Sequence, residues 1–298
     1  MIGLKRASVL ITAVGLLLCP AAVAQDYEIR LTRPMKVGQE YQVSAAGRES
    51  QKATVMVNGQ AVKNENQESA IEVELAAKVL EIDKNGAPVK ATLKIGKCLE
   101  VKGEKRTPLV PAGTVVVAYM KDKEPVYEID GRQASPEAQR ALTQVYTLGK
   151  GESNDDQILG TTERKKIGDR WAMNAQLLAK DATMNSLGAK QDDIKGTVTL
   201  EKIVKAGGTD CLQLAAEVNI ARFIPPAPPG LVVEKAKAVA RLIGAFPINT
   251  SLGIAEKSVT MTITAVMKGA KTQPDTPDLV VETVAERQTT IRYTYPKN

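Results

Sequence analysis

Several long stretches alternate apolar and polar residues closely enough to dictate antiparallel sheet. In PVKATLKI, Val89, Ala91, Leu93 and Ile95 alternate with Lys90, Thr92 and Lys94. SVTMTITAVM repeats the pattern through Val259, Met261, Ile263 and Ala265, and CLQLAAEVNI through Leu212, Leu214, Ala216, Val218 and Ile220. The C-terminal TTIRYTYP places Ile291, Tyr293 and Tyr295 on one side. Successive side chains of a strand point to opposite faces, so this period of two means one buried and one wetted face. Strands covered on both faces read instead as unbroken apolar runs, which makes these strands antiparallel.

Turn residues divide the strands into hairpins. Asn58-Gly59 and Asn85-Gly86 are the strongest short hairpin signals, since a type I′ turn requires positive φ at both central positions. The strand before Asn85-Gly86 changes phase near Val79-Leu80, which predicts a bulge. A second long hairpin turns at Gly207-Gly208. KVGQEY (36–41) and KIGDRW (166–171) echo one another ahead of these two hairpins. The echo predicts two similar β-rich units, 25–150 and 157–298, joined near GKGESNDD (149–156), with Tyr41 and Trp171 as core anchors. Each unit is expected to carry one helix. SPEAQRALTQVYTL has Ser135 as N-cap and Pro136 in the first turn, followed by a helically spaced apolar stripe near 136–148. LVVEKAKAVARLIG presents Val232, Ala236, Val239 and Ile243 at helical spacing near 231–243. The fold class is therefore mainly β (α+β): two similar units of strongly curved antiparallel sheet, each with one packed helix, with two β-sandwiches as the alternative.

The N-terminus has the three parts of a secretory signal: Lys5 and Arg6, an apolar run from Ala7 to Leu18, and small residues Ala22 to Ala24. Cleavage between Ala24 and Gln25 assigns 1–24 to a signal peptide and the product to the periplasm or the cell exterior. The apolar run is shorter than the roughly 20 residues a spanning helix needs, and no other segment is a transmembrane candidate. Two cysteines follow the signal, Cys98 and Cys211, and an oxidising compartment permits a disulfide between them as readily as two separate thiols.

Chemistry is limited by what is missing. The chain contains no histidine, which removes His-dependent nucleophile systems, His-ligated zinc and the commonest proton-transfer group near neutral pH. There is no phosphate-binding loop, nucleophile elbow or dinucleotide fingerprint, and DKNG at Asp83 lacks the spaced carboxylates of a calcium loop. No cofactor, metal site or catalytic residue is therefore expected. Two carboxylate doublets, Asp155/Asp156 and Asp192/Asp193, keep open an alternative as a carboxylate-dependent hydrolase. The basic residues are dispersed, and with Trp 1, Tyr 7 and Phe 2 the chain lacks the basic footprint and stacking platforms of nucleic-acid binders. FIPPAPPG (223–230) reads as a rigid connector, and Asn249-Thr250-Ser251 matches the glycosylation acceptor pattern.

The KIGDRW phrase from Lys166 to Trp171, the hairpin from Val79 to Gly86 and the helix after Ser135 together resemble a group of exported bacterial β-rich proteins with a duplicated KVGxxW-hairpin-helix unit. In outline the arrangement is also similar to periplasmic lipoprotein-carrier half-barrels, whose concave face holds acyl chains. Neither resemblance brings catalytic residues. Together they imply a non-enzymatic cell-envelope protein that binds an apolar small molecule or lipid, or an envelope protein partner. A purely structural envelope role is a further alternative.

Overall fold

The computed structural model describes residues 25–122, 124–149, 155–180, 184–185, 187–270 and 278–296. Its strands are β1 (Glu40–Val57), β2 (Gln60–Ile82), β3 (Pro88–Lys102), β4 (Lys105–Pro108), β5 (Val115–Lys121), β6 (Glu124–Ile129), β7 (Arg132–Gln133), β8 (Arg170–Ala172), β9 (Ile194–Ala206), β10 (Thr209–Ile220), β11 (Leu231–Pro247), β12 (Glu256–Gly269) and β13 (Leu279–Thr294). The helices described are α1 (Pro136–Val145), α2 (Asp155–Ile158) and α3 (Ala175–Lys180), with a 3-10 turn at Gln191–Asp193. None of the helices is long and apolar enough to cross a membrane.

The protein is mainly β, as the alternation requires, but its strands form one sheet. The order is β7-β6-β5-β3-β2-β1-β13-β12-β11-β10-β9-β8, with β4 on β3, and the described pairings are antiparallel. The sheet is open, with β7 and β8 at its ends. Both expected units share this one sheet, which is not the two-sandwich alternative. β13 pairs with β1 along its whole length, from Thr294 opposite Gln42 to Leu279 opposite Val57, and this stitches the first half of the chain to the last strand.

Register shows that one face carries the three main buried clusters. Ile71, Gly47, Thr289, Val259, Leu242, Ala216 and Val198 follow one another in register across seven strands. Paired residues point to the same side of a sheet, so the three buried clusters share that side. The first cluster joins Val43, Leu75, Leu93 and Tyr127 to Leu142 of α1. The second joins Leu31 to Leu200, Leu214 and Phe246, and the third joins Ile194, Ile220, Ala238 and Ala265. Gln42, Ser44, Glu74 and Lys94 are exposed on the opposite face.

α1 forms where expected. Ser135 Oγ accepts the Ala138 N–H at 3.2 Å, and Ala138, Ala141, Leu142 and Val145 are buried. It ends at Tyr146, whose backbone is already extended. The second expected helix is a strand. Residues 231–243 lie within β11, held between β10 and β12. Alanine and lysine gave the segment helical character, but Val232 and Val239 of the expected stripe are 60% and 51% exposed. The operative pattern is Ala236, Ala238, Ala240 and Leu242, one residue out of phase with Val232 because the register shifts between Val233 and Lys235. Ladders with two long neighbours outweigh a weak local propensity.

The two echoed phrases make the same turn. Gly38 (φ 83) donates to the Val79 carbonyl at 2.8 Å, and Val79 donates to the Gln39 carbonyl at 2.9 Å. Gly168 (φ 93) donates to Leu200 at 2.7 Å, and Leu200 donates to Asp169 at 3.1 Å. The Gln39 and Asp169 side chains cap Lys36 N–H and Lys166 N–H at 3.0 and 2.8 Å. In both places the next residue, Leu80 or Glu201, is skipped in the pairing register. That shift fulfils the bulge expected near Val79-Leu80. The likeness stops after the hairpins, where 109–148 and 231–247 differ. Asn58-Gly59 and Gly207-Gly208 turn with positive φ at both residues, but Asn85 does not. There Asp83 Oδ1 accepts from Asn85 and Ala87 N–H at 2.8 and 2.9 Å, which builds a longer turn.

Candidate functional site

The N-terminal segment 28–36 has no regular secondary structure and runs across the seam between the first two clusters. Leu31 packs into the second and Met35 against the first. Met35 N–H donates to the Gly86 carbonyl at 2.9 Å, and Asp156 of α2 accepts from Leu31 N–H at 2.5 Å and Thr32 N–H at 3.1 Å. Beneath this segment lies a cavity of about 310 Å³, bounded also by the ends of β1, β13 and α1, the β2–β3 turn, α2 and the start of β12.

Four tyrosines furnish one side of it. Tyr41 stacks on Tyr146 with centroids 6.5 Å apart and planes 14° from parallel. It also meets Tyr293 at 6.2 Å and Tyr295 at 5.6 Å in tilted contacts. Val145, Ile158 and Ile254 add aliphatic wall. Burial pushes the Tyr293 phenol up to about 12 and raises those of Tyr41, Tyr146 and Tyr295 as well, Tyr41 being raised further by Tyr146 beside it. The Tyr295 ring stands directly on Gly253, where a Cβ would fall 2.1 Å from its hydroxyl.

The charged groups lining the cavity are Arg33, Lys257 and Asp155, with Asp156 behind the N-terminal segment. Arg33 Nη2 donates to the Pro247 carbonyl at 3.0 Å. Burial lowers the Arg33 pKa, and the nearby Asp156 charge opposes that shift. The guanidinium remains charged at any physiological pH. Apolar and aromatic walls with a few convergent polar groups are the make-up of a small-molecule pocket.

One member of each carboxylate doublet has a structural use. Asp156 ties down the N-terminal segment, as above. Asp193 is buried and accepts from Arg222 Nε at 2.8 Å, while Asp192 is exposed. Asp155 alone of the four lines the cavity. Cys98 and Cys211 are free, buried thiols. Cys98 lies on the core face of β3 and Cys211 on the other face of β10, six strands away. At about 4.8 Å per strand that separation is several times the Cα distance a disulfide spans. Ala24 lies outside the described residues and Gln25 is the first of them. Trp171, expected as a core anchor, is only partly buried: its Nε1–H donates to the Leu159 carbonyl at 2.8 Å, and the ring packs against the edge of the second cluster. Asn249 is occupied in its own turn, accepting from Ser251 N–H at 3.0 Å. Among the described residues no group of three His, Cys, Asp or Glu side chains could hold a metal.

Sequence reading did not single out Arg33, Tyr146, Tyr293 or Tyr295 as site residues. Only the Tyr293/Tyr295 alternation hinted at them, and nothing local links them to Arg33.

No protein-family model and no curated protein matches the chain. Among solved structures, 89% of the chain is similar to lipovitellin, described for its lipid-protein interactions, at 9% identity and a TM-score of 0.32, and spans 26% of that protein. The outer membrane protein OprG from Pseudomonas aeruginosa matches at 5% identity and a TM-score of 0.16, over 88% of this chain and 99% of its own. OccAB4 from Acinetobacter baumannii matches at 9% identity and 0.18, over 85% and 99%. Likenesses this distant establish neither a shared fold nor a shared function.

Proposed function

We propose that this is a non-enzymatic, exported binding module of the cell envelope that holds an apolar small molecule in the cavity under residues 28–36. The observation that carries the reading is the half-open space of about 310 Å³ walled by Tyr41, Tyr146, Tyr293 and Tyr295. A well-packed core leaves few voids larger than a water molecule, and this one is of ligand size. The absence of histidine and the structural employment of Asp156 and Asp193 favour binding over hydrolysis. The test is to export the protein to a bacterial periplasm, purify it without detergent and compare native with denaturing mass spectra. A co-purifying mass that is lost on denaturation supports the reading. A bare chain that also takes up no apolar probe sinks it and leaves a structural or partner-binding role.

A further inference from the structure

The polar groups left without partners are not scattered through the protein. Six buried side-chain nitrogen or oxygen atoms among the described residues lack a hydrogen bond: Thr32 Oγ1, Arg33 Nε, Arg33 Nη1, Tyr146 Oη, Tyr295 Oη and Arg287 Nε. All but the last belong to residues that line the one cavity. Each such atom costs roughly 1–3 kcal/mol, and native structures tolerate few of them. Five lie in residues around one space, each with almost no accessible surface of its own, so their hydrogen bonds are completed only by an occupant that shifts the wall beside them.

The chemistry of these atoms defines what completes them. Guanidinium nitrogens donate and never accept, so Arg33 calls for an acceptor, and a charged one strengthens the bond about twofold. Tyrosine and threonine hydroxyls donate to the same oxygens. Asp156 does not fill the role: its two oxygens accept from Leu31 and Thr32 N–H, and it acts on Arg33 through its charge without bonding to Nε or Nη1. The surrounding formal charges are Arg33 and Lys257 against Asp155 and Asp156, which cancel. A single negative charge is therefore accommodated with less repulsion from the two aspartates than a dianionic phosphate.

Resting on the reading of the cavity as a small-molecule site, we infer that its ligand is a monoanionic organic acid, with the carboxylate at Arg33 and the apolar body against the tyrosines. Arg33 sits on the segment without regular structure, whose anchors are the Asp156, Gly86 and Pro247 contacts. That segment is the wall that yields to admit the head group. The cavity's size suits a medium-chain or aromatic acid rather than a two-chain lipid.

The test uses decanoate and decanol, an acid and an alcohol of equal chain length, titrated calorimetrically into the mature protein near neutral pH. The expected result is decanoate binding about tenfold or more tighter than decanol. In Arg33→Gln the ratio of decanoate to decanol affinity falls to about one, and in Arg33→Lys part of the preference returns. Equal binding of acid and alcohol by the unaltered protein overturns the inference and leaves the apolar site standing. Binding of neither overturns the reading on which it rests. Should Arg33→Gln fail to fold, the comparison in the unaltered protein still decides, and Tyr295→Phe, which removes one hydroxyl, is expected to weaken decanoate selectively.

Discussion

Tyr41 at the start of β1 stacks on Tyr146 just beyond α1, ring centroids 6.5 Å apart and planes 14° from parallel. The pair fastens the helix to the sheet beside the cavity. Tyr41 is 4% exposed and Tyr146 is 3% exposed, and the Tyr146 hydroxyl makes no hydrogen bond of acceptable geometry. Removing that hydroxyl and removing a ring therefore have opposite consequences. Tyr146→Phe is expected to leave the unliganded protein as stable, or more stable by about 1 kcal/mol. Tyr41→Ala should cost about 3–5 kcal/mol. Urea unfolding of the ligand-free protein checks both.

The shared turn at Gly38 and Gly168 makes a matched prediction. Both residues have φ in the left-handed region, and an added Cβ would meet nothing within 4 Å at either. Strain is then purely a matter of backbone, about 1–2 kcal/mol for a residue with a Cβ. Gly38→Ala and Gly168→Ala should lower stability by similar amounts and add in the double variant, since they lie in different parts of the sheet. A marked difference between them in chemical denaturation would contradict the equivalence of the two turns.

Asp156 distinguishes structural from catalytic carboxylates. Its two bonds to Leu31 and Thr32 N–H fix the N-terminal segment, and loss of a charged acceptor costs about 1.5–3 kcal/mol. Asp156→Ala should be destabilised by that amount and should be cut earlier by protease within residues 28–36. Asp192→Asn, at an exposed site, should change nothing measurable.

Alkaline pH should unfold the protein through its phenols. Burial raises Tyr127 and Tyr293 to about 12, whereas unfolded phenols ionise near 10. The native state thus favours the protonated phenol. Its stabilisation is complete below pH ~10 and is lost as pH rises toward ~12. Near-ultraviolet phenolate absorbance and circular dichroism followed over that range should change together. Full titration of all tyrosines near pH 10 with the fold intact would refute the buried cluster.

The thiols should be unreactive in the native state. Burial pushes Cys98 up to about 11 and raises Cys211 as well, and both are essentially unexposed. A thiol reagent at neutral pH should label neither Cys98 nor Cys211 in the folded protein, and both after denaturation without reductant. Absence of label in the denatured sample would reveal a disulfide that the separation of β3 and β10 forbids.

Local chemistry was enough to read much of the architecture. Alternation in 88–95, 211–220 and 258–267 names strands because a pleated backbone alone imposes a period of two. Ser135-Pro136 starts α1 because a cap and a fixed φ act within one turn. The phase change at Val79-Leu80 and the echo at 36–41 and 166–171 each correspond to hydrogen bonds between Gly38 and Val79, or Gly168 and Leu200, that their residue types invite. Tertiary structure decided the rest. Residues 231–243 carry helix-favouring alanines and lysines, yet become β11 because β10 and β12 offer ladders on both sides. The union of the halves depends on β1 meeting β13 more than two hundred residues later, a pairing that no local pattern encodes. The cavity depends on that union. Arg33, Tyr146 and Tyr293 come from three distant stretches of chain, and their common surroundings exist only once the sheet has brought those stretches to one seam.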